Sequence, residues 1–490
     1  MSFGENIVEL VNKANSPLIQ KASRWCRVPL GSITNILNGY PFASDQFNLE
    51  RGAPIIRIRD VTSGKTGTKY SGDIPEGYWI EAGDYIVGMD GDFNARIWNS
   101  ERGLLNQRVC KISADSRFLD LSFLAYVLPG YLKLINDHTP SVTVKHLSSR
   151  TLQETPIPLP PLPEQRRIVR KLDSVSARSS TARYHLTALE KLGPRYKLAV
   201  LRSAFAGELT AKFRAERTLE PVSTLLKRIP PPQQGRGGRQ PTTEVIEGRG
   251  GISVNVPNVD LPEGWNWVSL LRVARQETGH TPSRSRPDWW DGDVCWISIP
   301  DANLHHGRVI FDTIQKTNEE GLANSSARLL PAGTVVLSRT ASVGYICILG
   351  KDMATSQDFA TWTCTDALLP EYLMYALLSE GEDIKKFGEG STHTTIYFPE
   401  IRAFHIKLAP IEEQHEIVHK IKAAFAKIDR LAAEAEKALK LLGHLDQRIL
   451  AKAFAGDLVP QDSNDEPAET LLARIREARA AAPKSRRGRK

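Results

Sequence analysis

The sequence predicts an α+β protein: two pseudo-repeated α+β domains, separated by two long helices that form an antiparallel coiled coil. Two observations lead to this fold class. Blocks of sequence recur once along the chain, about 250 residues apart, and each recurring block begins a long helical pattern with one apolar stripe. The chain has 490 residues, too many for one ordinary core, which agrees with several domains.

The repeat is clearest where a short apolar segment meets a helix. The run IPLPPLPEQRRIVRK, which begins at Ile157, recurs as IKLAPIEEQHEIVHK from Ile406, an offset of 249 residues. Farther along, AFAGEL at 204–209 recurs as AFAGDL at 453–458 with the same offset. One register across both matches predicts a duplicated helix that follows a duplicated domain.

Each helical segment carries one narrow apolar stripe. In the second copy the apolar residues follow the 4-3-4-3 spacing of a coiled coil, and the first copy keeps this register with Ser179 and Gly193 as weak positions. Because a helix must bury such a stripe, we expect the two copies to pack against each other, and we expect Pro194 to break the first helix near Gly193. The predicted seam consists of Ile168, Leu172, Val175, Leu186, Leu189, Ile417, Ile421, Ile428, Leu431, Leu442, Leu445 and Ile449.

A continuous seam of this kind would be about 50 Å long at ~1.5 Å rise per residue. Two interpretations of the helix pair stay open. The pair is either a ruler that fixes the distance between the two domains, or a local packing arrangement with no measuring role.

The segments that precede the helices match each other more faintly. AGDYIV at 82–87 aligns with AGTVVL at 332–337, and short apolar runs between polar, glycine-bearing turns predict strands. Helices are predicted at 119–128 and 369–378. The predicted boundaries are 1–155 and 259–404 for the α+β domains, 156–229 and 405–475 for the helical regions, 230–258 for a flexible linker and 476–490 for a basic tail.

Composition narrows the class of protein. The net charge is +8, but residues 259–404 are net acidic, so bulk charge is weak evidence for nucleic-acid binding. No apolar stretch is long enough to span a membrane and no signal peptide pattern occurs, which predicts a cytoplasmic protein without membrane contact. Five cysteines with no closely spaced pair predict reduced core thiols, namely Cys26, Cys110, Cys295, Cys347 and Cys364.

No catalytic motif stands out. Gly64-Lys65-Thr66 ends like a phosphate-binding loop, but Arg59 occupies the position of its first glycine. The adenine-methyltransferase tetrad [DNS]PP[FYW] does not occur, and His305-His306 lacks the spacing of a zinc site. The sequence therefore predicts a non-catalytic chain with no metal and no cofactor of its own.

Two different α+β domains, each followed by PLPEQ or APIEEQ and a helix that ends in AFAG[ED]L, resemble the specificity subunit of type I restriction-modification systems. LPEGW at 261–265 and Gly390-Ser391-Thr392 are further phrases typical of that family, whereas the first domain has WCRVPL from Trp25 and Pro140-Ser141-Val142 in the corresponding places. The resemblance implies that each domain is a target recognition domain for one half of a bipartite double-stranded DNA sequence. It also implies that the helices pack antiparallel, set the spacer and bind two methyltransferase subunits. S-adenosylmethionine would belong to those subunits, and ATP and Mg to restriction subunits.

Side chains that read DNA are expected in polar loops beside the strands, because arginine recognises guanine and asparagine or glutamine recognises adenine at base edges. Arg339 is the foremost candidate, since Ser338-Arg339-Thr340 follows an apolar strand. Gln107 and Gln357 are interpreted as structural, because equivalent residues seldom persist in domains that read different sequences. The candidates are Arg57, Arg59, Lys65, Lys69, Asn94, Arg96, Lys145 and His146 in the first domain, and Arg284, Arg286, His305, His306, Arg308, Arg339, Thr340, Thr392, His393 and Thr394 in the second.

Two alternatives to a DNA-reading subunit stay open. One is a helical scaffold that binds partner proteins but not DNA, and the other is an enzyme with an unrecognised site. Two divergent domains on a matched helical frame favour the DNA-reading subunit, because a scaffold has no need of different loops.

Overall fold

The computed structural model describes residues 6–140, 144–235, 239–390 and 394–481. The chain forms two compact units. The first unit consists of Met1–Leu186 and Lys437–Lys490, and the second of Thr187–Glu436. Each unit therefore contains one α+β domain together with part of each long helix.

The first α+β domain contains a two-stranded sheet, a four-stranded antiparallel sheet and a five-stranded sheet among its described residues. Its elements in chain order are α1 (Ile7–Lys13), β1 (Cys26–Pro29), β2 (Thr34–Asn38), β3 (Phe47–Asn48), β4 (Ala53–Ile56), α2 (Ile58–Ser63), β5 (Lys69–Tyr70), β6 (Trp79–Ile80), β7 (Tyr85–Gly88), β8 (Ala95–Ile97), β9 (Gly103–Leu105), β10 (Val109–Ala114), α3 (Leu121–Asp137), α4 (Ser149–Glu154) and β11 (Pro156–Leu159). The strand orders are β1-β11, β2-β10-β7-β8 and β3-β5-β4-β9-β6.

The first long helix and two short helices follow this domain. They are α5 (Leu162–Phe205), α6 (Ala211–Ala215) and α7 (Val222–Arg228). The second α+β domain then consists of β12 (Ile252–Val254), β13 (Asn266–Ser269), α8 (Leu270–Val273), β14 (Ala274–Thr278), β15 (Val294–Ile297), α9 (Ile299–Leu304), β16 (Val309–Ile310), β17 (Gln315–Thr317), α10 (Glu319–Ala323), β18 (Val335–Ser338), β19 (Ile346–Leu349), β20 (Ala354–Thr355), β21 (Phe359–Cys364), α11 (Pro370–Glu380), α12 (Phe398–Arg402) and β22 (Phe404–Leu408).

The sheets of the second domain repeat the plan of the first, with three, five and three strands where the first has two, four and five. Their orders are β12-β22-β13, β14-β21-β18-β19-β16 and β17-β15-β20. The chain continues into α13 (Ile411–Ala455) and α14 (Ala468–Ala481). The helices expected at 119–128 and 369–378 correspond to α3 and α11, which are buried along the face that covers the sheets.

The repeated Glu-Gln pair fixes each domain to the start of its long helix. In the first unit the Gln165 side chain accepts from the backbone N–H of Asp120 and donates to the carbonyl oxygens of Phe118 and Pro160, each at 2.8 Å. In the second unit Gln414 makes the same three bonds, 249 residues farther along, to Leu369, Ala367 and Ala409. A buried amide with all these partners satisfied orients the domain on the helix.

The glutamate of the same pair holds a tryptophan at the beginning of each domain. Trp25 Nε1 donates to Glu164 at 3.0 Å, and Trp265 Nε1 donates to Glu413 at 2.8 Å. The first domain therefore keeps the tryptophan of the LPEGW phrase even though the surrounding letters differ.

The Phe-x-Gly end of each long helix packs in the core of the unit that contains the other repeat's domain. Phe205 lies in the core of the second unit and Phe454 in that of the first. The following glycines, Gly207 and Gly456, have φ values of +78° and +82°, and a Cβ would lie 2.4 Å from Pro262 Cγ and 2.7 Å from Ala22 Cβ. Glycine is required at this turn because of both the left-handed backbone and the close approach.

The two long helices run antiparallel within each unit. In the first unit Arg183 Nη2 donates to Asp446 at 2.8 Å, while Arg167, nearer the start of α5, pairs with Asp465 beyond the end of α13 at 2.5 Å. In the second unit Lys197 Nζ bonds Asp429 at 2.6 Å, and Lys420 Nζ bonds the Leu209 carbonyl at 3.0 Å.

The expected break at Pro194 is wrong, because α5 continues through it to Phe205. Pro194 lies on the exposed side of the helix, where water can solvate the carbonyl group that lost its donor. On the opposite side a Cβ at Gly193 would lie 3.8 Å from Ile428 Cγ2, so the small residue allows close packing of the two helices.

The predicted seam is buried near the start of each long helix and more exposed farther along it. Ile168, Leu172, Ile417 and Ile421 are buried, and Val175, Leu186, Ile428, Leu442 and Ile449 are half-buried. The expectation of burial is wrong for Leu189, Leu431 and Leu445, which are 38, 48 and 48 % exposed. A pair of helices without further layers cannot cover a whole stripe of this length.

Two predicted segments need correction. The expected flexible linker at 230–258 is ordered at its end, since Ile252–Val254 forms β12 and Glu380 accepts hydrogen bonds from the backbone N–H groups of Arg249, Gly250 and Ile252. The expected basic tail from 476 is helical as far as Ala481, because Leu471 and Ile475 bury one face of α14. The rest of that tail, 482–490, lies outside the described residues.

Candidate nucleic-acid interface

Five loops of the first domain meet at one end of its sheets. The carboxyl ends of β2, β4, β7 and β9 lie at this end. Strand β10 pairs antiparallel with both β2 and β7, so these two run in the same direction, and β4 pairs parallel with β9. We call residues 39–46, 57–65, 89–94, 106–108 and 144–147 the first loop face. Backbone hydrogen bonds join its loops, from Tyr40 N to Leu105 O (2.9 Å), from Asn106 N to Ile56 O (3.3 Å) and from Met89 N to Arg108 O (2.8 Å).

The second domain has the same arrangement. We call residues 279–286, 298–308, 339–345, 356–358 and 394–396 the second loop face. The equivalent backbone hydrogen bonds run from His280 N to Thr355 O (2.9 Å), from Ser356 N to Ile297 O (3.1 Å) and from Arg339 N to Asp358 O (2.8 Å). The two faces thus share one backbone framework.

A buried aspartate shapes the same corner of both faces. Asp60 accepts from the N–H of Arg57 at the start of α2 (2.8 Å), and Asp301 accepts from the N–H of Ser298 at the start of α9 (2.9 Å). Each is a capping box that fixes where the helix begins. The apolar runs that lead to Asp60 and Asp301 in the sequence are the strands β4 and β15.

Most of the sequence-predicted residues of the first domain lie on or beside its loop face. Arg59, Lys65 and Asn94 are exposed there, and the Arg96 guanidinium lies against Gly64. The other candidates hold the protein together. Arg57 turns inward to Thr68 and Asp60, Lys145 Nζ donates to the Asn136 carbonyl at 2.7 Å, and Lys69 Nζ reaches back to the Glu50 carbonyl at 3.2 Å.

The predicted residues of the second domain also gather on its loop face. Arg284, Arg286 and Arg308 are exposed, and the Arg284 guanidinium lies 3.8 Å from the ring centroid of Trp290. Side chains of His305 and Thr394 are half-buried, and His306 Nδ1 accepts from the N–H of Ile346 at 3.1 Å. Thr392 and His393 lie outside the described residues.

Arg339, the foremost candidate, is only half-exposed. Its guanidinium lies 4.4 Å from the ring centroid of Phe398, and Nη2 donates to the Gln357 carbonyl at 3.0 Å. Burial lowers the pKa of Arg339 from its usual value, and within the described part of the chain its buried Nε has no hydrogen-bond partner. These contacts fix the direction of the side chain, which suits a reader better than a freely moving arginine.

The loop faces differ in the side chains that the shared backbone presents. The first face has Asp90, whose carboxylate lies 2.6 Å from His146 Nδ1 and 3.4 Å from Arg108 Nε. At the corresponding place of the second face, Thr340 donates to Asp358 at 2.6 Å. The equivalent positions of opposite charge are Arg108 in the first domain and Asp358 in the second, since each carbonyl accepts the same loop-to-loop hydrogen bond.

Sequence reasoning missed Arg108, and its interpretation of the neighbouring glutamines as structural stays a prediction. Gln107 and Gln357 are both exposed on the loop faces, and Thr281 donates to the Gln357 side chain at 2.6 Å. The repeat of Asn106-Gln107 as Ser356-Gln357 was the signal in the sequence that could have drawn attention to the turn before Arg108. Its buried members are Asn106 and Ser356, so the first residue of each pair provides the structural part.

Other kinds of site find little support in the described residues. Over 6–140, 144–235, 239–390 and 394–481, no group of three or more His, Cys, Asp or Glu side chains is placed to hold a metal ion. Burial raises the pKa of the Cys110 and Cys347 thiols to about 12, so neither is a ready nucleophile at neutral pH. Within the same ranges, every helix is either too short or too polar to cross a lipid bilayer.

Comparison with known proteins agrees with this organisation. The family described as "Type I restriction modification DNA specificity domain" matches the chain twice, at residues 22–190 and 262–440. Each match contains most of one α+β domain and about two thirds of the long helix that follows it. The chain belongs to this family, which confirms the resemblance drawn from the repeated motifs.

Individual relatives match over nearly the whole chain. The type I restriction enzyme EcoBI specificity subunit of Escherichia coli is 33% identical over 510 residues, with 100% of both chains covered. The EcoKI specificity subunit of Escherichia coli strain K12 is 22% identical over 498 residues, which cover 95% of this chain and 98% of that one.

Solved structures share the fold. The HsdS subunit from Thermoanaerobacter tengcongensis superposes with a TM-score of 0.52 at 20% identity, over 89% of this chain and 98% of that chain. A chain from a structural study of complex assembly in the type I R-M system gives a TM-score of 0.61 at 20% identity, over 90% and 100%. The predicted fold class, two repeated α+β domains with two long helices, is confirmed.

Proposed function

We propose that this chain is the DNA-specificity subunit of a type I restriction-modification enzyme and that it reads a bipartite double-stranded target. Family membership supports the proposal. The observation that carries it is the pair of loop faces, in which three loop-to-loop hydrogen bonds recur while the side chains they position differ. Two readers of different half-sites need a common framework with dissimilar contact residues.

Local charge on the second loop face fits a DNA-binding role. The sequence of this domain is net acidic, yet Arg284, Arg286 and Arg308 are exposed on one face. Arginines grouped in this way can bind phosphates and base edges although the domain as a whole repels DNA. A helical scaffold without DNA binding gives no reason for such a cluster.

The long helices are proposed to set the spacer between the half-sites. They contain 44 and 45 residues, which corresponds to about 66 Å at ~1.5 Å rise per residue. Charged contacts such as Arg183 with Asp446 and Lys197 with Asp429 fix the register of the pair within each unit. A rod of constant register keeps a constant length.

Exposed apolar residues on these helices are the proposed docking sites for two methyltransferase subunits. In the second unit Leu192 and Tyr196 are 43 and 65 % exposed. In the first unit Leu441 and Leu445, which occupy the same positions 249 residues later, are 68 and 48 % exposed. Equivalent apolar surfaces on both helices suit two copies of one partner.

The chemistry is proposed to belong to the partners. We expect S-adenosylmethionine on the methyltransferase subunits, ATP and Mg on restriction subunits where these are present, and no catalysis by this chain alone. Since the proposed substrate is double-stranded DNA, we expect the protein to act in the cytoplasm.

The test is the set of methylated sequences in cells that express this chain with its methyltransferase subunit. We expect one split sequence with a fixed spacer. Replacing residues 246–409 by the corresponding segment of another family member should change one half of that sequence only. The replacement must keep a tryptophan at the place of Trp265, so that the contact with Glu413 survives.

Other outcomes would decide against the proposal. A change in both halves, or in neither, would contradict the modular reading. A complex that forms with the methyltransferase but methylates no defined sequence would favour the scaffold. Methylation by the purified chain alone would favour an enzyme with its own site.

A further inference from the structure

Arg108 has an unusual backbone conformation at the centre of the first loop face. Its φ is +71°, in the left-handed region that disfavours side chains with a Cβ. Among the described residues other than glycine, four have positive φ, and three of them, Phe93, Arg108 and Ala341, belong to the loop faces. Strained backbone of this kind concentrates at functional sites, where surrounding contacts maintain it.

The contacts that maintain this conformation are on both sides of the turn. The Arg108 carbonyl accepts from Met89 N at 2.8 Å, and Gln107 N donates to the Tyr40 carbonyl at 2.9 Å. The turn 106–108 is therefore held between two neighbouring loops. At this turn 56% of the Arg108 side chain is exposed.

Asp90 and His146 orient the guanidinium. Asp90 Oδ1 lies 2.6 Å from His146 Nδ1, so this nitrogen donates to the carboxylate. The 3.5 Å between Arg108 Nη1 and the same nitrogen is then a contact without a shared proton. Because Asp90 Oδ2 lies 3.4 Å from Arg108 Nε, the carboxylate holds the guanidinium at Nε, while 56% of the side chain stays exposed to solvent.

The second domain has a residue of opposite charge at this position. The Asp358 carbonyl accepts from Arg339 N at 2.8 Å, as the Arg108 carbonyl does from Met89 N. The Asp358 carboxylate is bound by Thr340 Oγ1 at 2.6 Å and by Ser356 Oγ at 3.0 Å. One backbone position thus presents a cation in one domain and a hydrogen-bonded carboxylate in the other.

We propose that Arg108 is a specificity-determining residue that reads a guanine in the half-site of the first domain, with Asp90 and His146 as positioning residues. The inference rests on the proposed function and names one contact within it. A guanidinium that is held at Nε can donate from its terminal nitrogens to guanine O6 and N7. The acidic counterpart in the second domain is the change expected where two domains select different bases.

The experiment compares Arg108→Ala and Arg108→Gly with Arg102→Ala in the complex with methyltransferase subunits. Arg102 is a matched control, because its side chain is 55% exposed and forms an ion pair with Glu81 at 2.7 Å. It lies just before β9, at the end of that strand farther from the loop face. Methylome sequencing and binding to single-base variants of the target are the readouts.

We expect both Arg108 variants to lose preference for guanine at one position of the first half-site, with affinity for the original sequence about 10-fold lower or more. The second half-site and the spacer should stay the same, and Arg102→Ala should leave the sequence unchanged. Arg108→Gly removes the backbone strain, so its thermal stability should equal or exceed that of the parent chain. A loss of preference in this variant therefore cannot come from unfolding.

Two results would overturn the assignment. Unchanged base preference in both variants would show that Arg108 does not read DNA. Equal weakening on every sequence, with a smaller dependence of affinity on salt, would assign Arg108 to a phosphate. In both cases the parent complex would still methylate a split sequence, whereas failure of the proposed function itself would show as the absence of any such sequence.

Discussion

The two α+β domains are alike where they meet the helices and different where they meet solvent. Gln165 and Gln414 make the same three bonds to backbone atoms. On the loop faces, by contrast, the position of Arg108 in the first domain is occupied by Asp358 in the second, and that of Asp90 by Thr340. Bonds to backbone atoms do not depend on the loop sequence, so the framework stays the same while the contact residues vary.

The largest expected effect compares how much Glu164 and Glu413, at the start of the two long helices, contribute to the free energy of unfolding. Glu413 is buried and binds Trp265, Thr210 and Arg214, whose side chain is 21% exposed. Glu164 binds Trp25, Arg24 and Gln461, and the Arg24 side chain is 40% exposed. We expect Glu413→Ala to lower the free energy of unfolding by about 3–5 kcal/mol, since it leaves the half-buried Arg214 and the buried Trp265 N–H without their partner. Glu164→Ala should cost about 2–3 kcal/mol, because water can solvate Arg24.

Urea denaturation of the full chain, followed by tryptophan fluorescence, measures both losses. Glu412→Ala is the matched control, since Glu412 is the exposed neighbour of Glu413 on the same helix. Equal losses for Glu164→Ala and Glu413→Ala would contradict the argument from arginine burial.

A smaller effect concerns one position in the carboxyl-terminal third of each long helix. Pro194 of α5 and Gly443 of α13 occupy equivalent positions in the repeat, and each weakens a helix. We expect Pro194→Ala to raise the free energy of unfolding by about 1–3 kcal/mol, partly offset by the greater freedom of the unfolded chain. Gly443→Ala should add about 0.5–1 kcal/mol, because its methyl group fits 3.9 Å from Arg183 Nη2.

Thermal denaturation measures these gains, and Arg195→Ala, an exposed change beside Pro194, is the control. The spacer of the methylated sequence should stay the same in both stabilised variants, since α5 is already continuous. A changed spacer would mean that Pro194 sets the shape of the rod.

The sequence was most informative where the same physical requirement occurs twice. The Glu-Gln pair and the Phe-x-Gly ends have fixed partners at a fixed offset, so the repeat revealed them directly. Trp25 was harder to recognise because it lies 139 residues before Glu164, whereas Trp265 lies 148 residues before Glu413. The different lengths of the two domains hid the equivalence.

The features that escaped prediction depend on contacts between distant parts of the chain. Pro194 stays helical because the packing of α5 outweighs the local preference of proline. The left-handed turn at Arg108 is set by Met89 and Tyr40, which no local pattern connects to it. The sequence suggested polar loops as readers, but it could not show that Lys145 and Arg57 turn inward to bond the protein itself.

A further expected effect is a pH dependence at the segment that precedes β12 in the second unit. Burial raises the pKa of Glu380 to about 7, and its carboxylate accepts from the N–H groups of Arg249, Gly250 and Ile252. The first domain has Tyr131 at the corresponding position, which does not ionise in this range. The segment before β12 should therefore respond to pH through Glu380, a response that Tyr131 cannot give in the first domain.

The sign follows from the raised pKa of Glu380. In the unfolded chain the carboxyl group ionises near its ordinary pKa of 4.5. Between pH 4.5 and about 7 the folded state therefore keeps a proton that the unfolded state has lost. Stability is then lost as the pH rises through this window, by about 1 kcal/mol between pH 6 and 8. Hydrogen exchange of the amides in 249–254, corrected for intrinsic rates, should show lower protection at pH 8 than at pH 6. Glu380→Gln should remove the difference, whereas a difference that persists in this variant would assign the pH dependence to another group.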